Sequence, residues 1–136
     1  DEALGIAREN AQRHRADSIT FIQANSLSHE HIDTYDVIVS NPPYVASDDP
    51  HMNRGDVRFE PEQALLAGVD GLDCIRDLVC LAPEHLVDGG YFMLEHGYDQ
   101  GDAIRKLLHQ QHYSNIHTIR DLAGHERVTI ARWRSS

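Results

Sequence analysis

The chain has 136 residues, enough for one domain with one core, and its 40% hydrophobic and 25% charged content is ordinary for a globular protein rather than a disordered one. With 22 acidic against 12 basic residues the formal net charge is -10, and neither Lys nor Arg forms a run, which argues against a phosphate-driven nucleic-acid partner. No apolar stretch approaches the roughly 20 residues of a membrane span and no signal sequence is evident, so the expectation is a cytoplasmic protein with no membrane partner.

In chain order, Ala3, Leu4, Ala7, Ala11 and His14 recur at helical spacing, with Asp1 and Glu2 favourably placed at the positive end of the helix dipole, so residues 1–14 are expected to be a helix. Ser18 to Ala24 is rich in β-formers and ends at the turn residues Asn25 and Ser26, which predicts a strand. A polar link follows, Ser28-His29-Glu30-His31. A His-x-His pair with no third ligand in sight is better explained as a solvated loop than as a metal site, and no metal is expected. Val37, Ile38 and Val39 then stand in a row, too short a run for a helix, and predict a strand over residues 36–40 that is buried on both faces.

Asn41-Pro42-Pro43-Tyr44 follows directly, at the carboxyl end of that strand, where open α/β sheets place their sites. Pro43 drives Pro42 out of the α region, Pro42 does the same to Asn41, and neither proline carries an N–H. The result is a stiff turn in which the Asn41 side-chain oxygen and the Pro42 carbonyl can face one pocket without a donor beside them. Tyr44 adds a flat ring on which an amide or a base can stack. Two acceptors and a ring suit a planar –NH2 group, and they leave its lone pair directed at an electrophile in line. That is the requirement for moving a methyl group from a sulfonium to an amide or aniline-type nitrogen. No strong base is needed, because the proton can leave after the nitrogen has become cationic. Taken alone, Asn-Pro-Pro is equally well read as a rigid turn.

Residues 45–71 are polar and rich in Asp, Gly and Pro around one apolar cluster, Ala64-Leu65-Leu66-Ala67, a length uncommon for a loop that does not bind something. Within it Phe59 and Glu60, fixed before Pro61, are candidate substrate contacts, although Phe59 would serve as well to anchor the loop to the core. Leu72, Ile75, Leu78, Val79, Ala82 and Leu86 form a helical stripe, kinked or restarted at Pro83 and stopped by Gly89-Gly90. Cys74 and Cys80 lie in this pattern and are expected to be buried thiols, neither disulfide-bonded nor metal-bound. Tyr91 to Glu95 predicts a second near-continuous apolar strand. Glu95 and His96 at its end either line the pocket or simply cap the strand. Ala103, Ile104, Leu107 and Leu108 predict a helix ending near His112, and residues 115–120 and 127–133 predict an antiparallel pair. The order of elements is that of the later part of a doubly wound α/β sheet with an antiparallel last strand pair.

These residues carry a resemblance. Asn41-Pro42-Pro43-Tyr44 after Val-Ile-Val-Ser, Arg58-Phe59-Glu60-Pro61, Gly89-Gly90 through Glu95-His96-Gly97, and Asp121-Leu122-Ala123-Gly124 with Glu126-Arg127-Val128 are together similar to the peptide chain release factor glutamine N5-methyltransferases, the HemK/PrmC family. The resemblance implies a Rossmann-like enzyme that uses S-adenosylmethionine to methylate the Gly-Gly-Gln glutamine of release factors. It further implies that Asn41 and the Pro42 carbonyl hold the glutamine –NH2, that Tyr44 packs on the amide, and that Asn25, Ser26 and Asn41 contact the cofactor. The family's glycine-rich cofactor loop, its ribose-binding acid and its N-terminal helical domain have no counterpart in residues 1–136, so the chain is expected to be a C-terminal part of the methyltransferase domain. An unpaired central sheet edge and weak stability are expected to follow. Two alternatives stand beside this reading: an N-methyltransferase acting on the exocyclic amine of a flipped nucleic-acid base, and a piece without activity of its own.

Overall fold

The computed structural model describes residues 2–24, 27, 33–44 and 71–135. Helix α1 covers Glu2–Arg13. Leu4, Ala7 and Ala11 are its half-buried stripe, as the spacing predicts, and Arg8 lies over the Phe21 ring at 5.6 Å. The strand expected at 18–24 is not formed: residues 19–24 have no regular structure, and Ile19 and Ile22 are exposed. β-propensity alone does not make a strand. It needs a ladder partner, and among the described residues no strand is hydrogen-bonded to this segment.

Strand β1 (Tyr35–Ser40) forms where the Val-Ile-Val run predicts it. Helix α2 (Asp73–Leu81) buries Ile75, Leu78 and Val79 on one face. Cys80, on the opposite side, is exposed, and Cys74 is half-buried; both thiols are free. Burial of Cys80 was therefore the wrong expectation: at helical spacing its side chain points away from the Ile75, Leu78 and Val79 stripe. The chain continues as a 3-10 turn, Ala82–His85, with Pro83 in its first turn, and Leu86 is already extended. The second short turn expected at Pro83 is present, but the helical stretch stops at His85 and not at Gly89-Gly90, which lies inside strand β2 (Leu86–Glu95). There the pairing with β1 jumps from Tyr35–Leu86 to Val37–Tyr91, so the glycines form an irregularity in the ladder. Gly89 has φ +81° and a Cβ on it would meet the Arg132 guanidinium.

Helix α3 (Gly101–Gln110) buries Ile104 and Leu108, one turn apart, and is followed by β3 (Ser114–Arg120) and β4 (Glu126–Arg132). The sheet order is β1-β2-β4-β3, with β1 parallel to β2 and the other neighbours antiparallel. The expected antiparallel last pair is present. The core joins Ile75, Leu78 and Val79 of α2 to Phe92 and Leu94 of β2, Ile104 and Leu108 of α3, and Ala131 of β4. Tyr113 closes its far side, stacked edge-on against Trp133 at 5.4 Å with its hydroxyl donating to the Val79 carbonyl. Burial holds that phenol well above its usual range.

Strand β1 lies at the edge of the sheet, and Val37 and Val39 are exposed. The sequence predicted burial on both faces, a pattern that holds only where an element packs over each face of the sheet, and the face of β1 that carries Val37 and Val39 is left exposed. Phe92 is 0% exposed and Val39 73%. Phe92→Ala is therefore expected to lower the unfolding free energy by about 3–5 kcal/mol and Val39→Ser to change it by about 0.5 kcal/mol or less, as read by urea denaturation.

Candidate active site

Parallel pairing brings the carboxyl ends of β1 and β2 to one rim, since Ser40 is opposite Leu94 in the ladder. Asn41-Pro42-Pro43-Tyr44 leaves β1 there, and Glu95-His96-Gly97 leaves β2 beside it. A cavity of about 300 Å3 opens at this rim, walled by Leu27, Ile38, Val39 and Leu78, with Ser40, Asn41, Pro42, Pro43 and Cys74 around it. Asn41 is exposed on that lining, Pro42 is buried, and Pro43 and Tyr44 are half-buried. A second cleft of about 400 Å3 runs between Ile22, Ala24 and Leu27 and the outer edge of β1. Asn25, Ser26, Phe59 and Glu60, with the His29–His31 pair, lie outside the described residues. Among the described residues no group of three His, Cys, Asp or Glu side chains could hold a metal ion.

Tyr44 is held at two points. Its hydroxyl donates to Glu95 Oε1 at 3.3 Å, and its backbone carbonyl accepts from Gln100 Nε2 at 2.9 Å. Glu95 thus meets the turn. His96 does not: it is wholly buried and turned inward, with Nε2 2.8 Å from Thr129 Oγ1 and Nδ1 2.8 Å from the Gly97 carbonyl. Gln100 is a residue that sequence reasoning missed. Its Oε1 accepts from Gly97 N–H at 2.8 Å, and its Nε2 also reaches the Gly71 carbonyl at 3.4 Å. Its only sequence signal is its place just before α3, where a polar side chain meets unpaired backbone groups.

Gly71 packs against this turn. It has φ +72°, and a Cβ there would sit 2.5 Å from the Tyr44 carbonyl oxygen and 2.7 Å from Gln100 Nε2. Only glycine meets both demands.

Behind the rim, the β3–β4 turn is organised by Asp121, which accepts from the Ala123 and His125 amides at 2.9 Å each and from Arg127 Nε at 3.0 Å. These bonds, that from the His125 amide above all, hold the Asp121 carboxyl below the ordinary value of 3.8. His125 stacks on Tyr98 at 5.6 Å, which ties the turn to the segment after β2.

Residues 1–59 match the family model described as the methyltransferase small domain. A release factor glutamine methyltransferase of Pseudomonas aeruginosa is 47% identical over 133 residues, which is 98% of this chain and 48% of that protein. The enzyme of the same name from Vibrio cholerae is 47% identical over 135 residues, 98% of this chain and 47% of its own length. The chain resembles the release factor glutamine methyltransferases. It spans about half the length of these curated relatives. A methyltransferase structure from Pyrococcus furiosus superimposes with a TM-score of 0.69 at 21% identity, covering 99% of this chain and 60% of that one. The fold is thus that of a methyltransferase sheet, and the resemblance expected from the motifs holds over nearly the whole chain.

Two outcomes follow from this geometry. Gly71→Ala is expected to lower the unfolding free energy by about 2 kcal/mol, because strained backbone and a clash with main chain combine. Gly5→Ala, in the middle of α1 with nothing within 4 Å, is expected to raise it by up to about 1 kcal/mol. Because the folded Asp121 carboxyl titrates below its unfolded value, its contribution is present above the unfolded value and is lost as pH falls through the folded one. Protection of the Ala123 and His125 amides, taken relative to the intrinsic exchange rate at each pH, is therefore expected to fall on acidification below pH 3.8, and an NMR titration of Asp121 is expected to give a midpoint under that value.

Proposed function

We propose that this chain carries the acceptor side of a protein-glutamine N5-methyltransferase that uses S-adenosylmethionine and acts on the Gly-Gly-Gln glutamine of release factors. The observation that supports it most is the placement of Asn41, Pro42 and Pro43 on a cavity at the common carboxyl rim of β1 and β2, with Tyr44 pinned beside them. Asn41 Oδ1 and the Pro42 carbonyl each accept one hydrogen of the glutamine –NH2, and the Tyr44 ring stacks on the amide plane. Holding both hydrogens turns the nitrogen lone pair toward the cavity.

The cavity suits the methyl donor: Leu27, Ile38 and Leu78 offer apolar walls for a flat ring, and Ser40 and Asn41 offer a polar rim. Asn25 and Ser26, just before Leu27, are assigned to the adenine side by the family resemblance, and Phe59 and Glu60 to the peptide side by their place before Pro61 in the long polar stretch. When bound, S-adenosylmethionine supplies an electrophilic methyl on a cationic sulfur. Asn41 and the Pro42 carbonyl would hold the amide nitrogen against that methyl, and no residue would be required as a strong base, because the proton would leave a nitrogen made cationic by the transfer. Cys74 also lines the cavity; burial, and then the nearby Asp77 carboxylate, push its thiol above the ordinary 9.0. It therefore stays protonated at neutral pH and does not compete for the methyl as a thiolate would.

The test is transfer of label from methyl-labelled S-adenosylmethionine by the intact protein that carries this chain. Label is expected on a release factor with a Gly-Gly-Gln glutamine and not on a Gly-Gly-Asn variant or on DNA and RNA. Asn41→Ala is expected to lower kcat/KM by about 100-fold or more, since one of two orienting acceptors is lost. Label on a nucleic-acid base, or full activity of Asn41→Ala, would overturn the reading.

A further inference from the structure

A chain of hydrogen bonds runs from the far side of the sheet to the Asn-Pro-Pro-Tyr turn, and its direction is fixed at both ends. Arg105, which can only donate, gives Nη1–H to Thr118 Oγ1 at 2.7 Å and to Glu126 Oε2 at 3.0 Å. Thr118 Oγ1 and Thr129 Oγ1 are 3.0 Å apart, and Thr129 Oγ1 is 2.8 Å from His96 Nε2. At the other end of the ring, the Gly97 carbonyl can only accept, so His96 must carry its hydrogen on Nδ1. In the ring form whose one hydrogen is on Nδ1, Nε2 accepts from Thr129, and the Thr129 oxygen in turn accepts from Thr118. Every hydroxyl points toward the rim. The Gly97 carbonyl that receives His96 also accepts the Gln100 backbone N–H at 3.1 Å, and through a separate peptide group the Gly97 N–H donates to Gln100 Oε1, which fixes the amide of Gln100 so that Nε2 donates to the Tyr44 carbonyl.

We propose that His96 and Gln100 are positioning residues for the acceptor turn, and that Thr118 and Thr129 set the orientation of both. The proposal rests on the reading of Asn41 to Tyr44 as the amide-binding turn. No member of this series touches that amide. The series acts by holding the Tyr44 main chain, and with it the Pro42 carbonyl two residues earlier, where the nucleophile is received. A glutamine is required at position 100 because one end must accept from Gly97 while the other donates to Tyr44. Glutamate satisfies the first bond and turns a second oxygen against the Tyr44 and Gly71 carbonyls. Thr129→Val keeps the shape of the side chain and removes the donor to His96; Thr129→Ser restores it.

The experiment measures steady-state methylation of a release factor by the intact protein, with KM for S-adenosylmethionine determined separately, and records 15N imidazole shifts of His96. Gln100→Glu is expected to lower kcat about tenfold or more, with KM for S-adenosylmethionine changed less than about twofold, because misplacing the nucleophile slows chemistry and not donor binding. Thr129→Val is expected to lower kcat in the same way, and Thr129→Ser to regain it. The His96 shifts are expected to report the Nδ1–H tautomer in the wild type and to change at Nε2 in Thr129→Val. A folded Gln100→Glu variant with wild-type kcat, an unrescued Thr129→Ser, or an Nε2–H tautomer would each overturn the proposal. If Gln100→Glu does not fold, the Thr129 pair and the tautomer still decide. A wild-type protein that methylates no release factor while His96 shows the Nδ1–H tautomer would instead remove the functional reading and leave the hydrogen-bond series standing.

Discussion

The parallel pairing of β1 with β2 is the constraint on which the site depends. Two strands that run the same way end on the same side, so the loops that follow them must meet. That is why Asn41 to Tyr44 and Glu95 to Gln100, more than fifty residues apart in the chain, meet at one rim. An antiparallel pairing of the same two strands would have sent Tyr44 and Gln100 to opposite ends of the sheet. The buried face of the sheet secures the register: Phe92 and Leu94 point into the core formed with α2 and α3, and a slip by one residue would expose both.

The remaining strands serve that pair. β4 is antiparallel to β2 and places Thr129 opposite Leu94, so its side chain can meet His96 just past the strand end. β3 then places Thr118 beside Thr129. Polar side chains at the heart of a sheet are costly unless each finds a partner. Here each does, and the partners are arranged in series. The Arg105–Glu126 pair anchors the series at the surface, where an ion pair can keep part of its hydration.

Much of this was legible in the sequence, and what was not has physical reasons. The Val-Ile-Val run and the turn after it gave the position of β1 and of the candidate site, because a proline pair limits backbone choices locally. The periods of α2 and α3 likewise depend on residues three and four apart. The failures involve partners distant in the chain. Residues 18–24 have strand composition but no ladder partner among the described residues, and β1 exposes Val37 and Val39 although its composition suits a strand covered on both faces. Gly89-Gly90 followed a helical stripe and so looked like a helix stop; the break had already occurred at Pro83, and the glycines accommodate a mismatch with β1 and the side chain of Arg132. Glu95 and His96 could not be told apart by sequence, because alternation sends one to the turn and the other inward only once the strand's faces are known.

Gly71 and Tyr44 touch, and one glutamine amide bridges their carbonyls. Tyr44 and Gly71, twenty-seven positions apart in the numbering, are therefore held at a single point. A chain segment stapled at its base is entropically insulated from the body that carries it: doubling its length changes the closure term by only about 0.6 kcal/mol. A change in the number of residues between Tyr44 and Gly71 would thus alter the cost of holding these two together only slightly, and the Asn-Pro-Pro-Tyr turn keeps its anchor at Gln100.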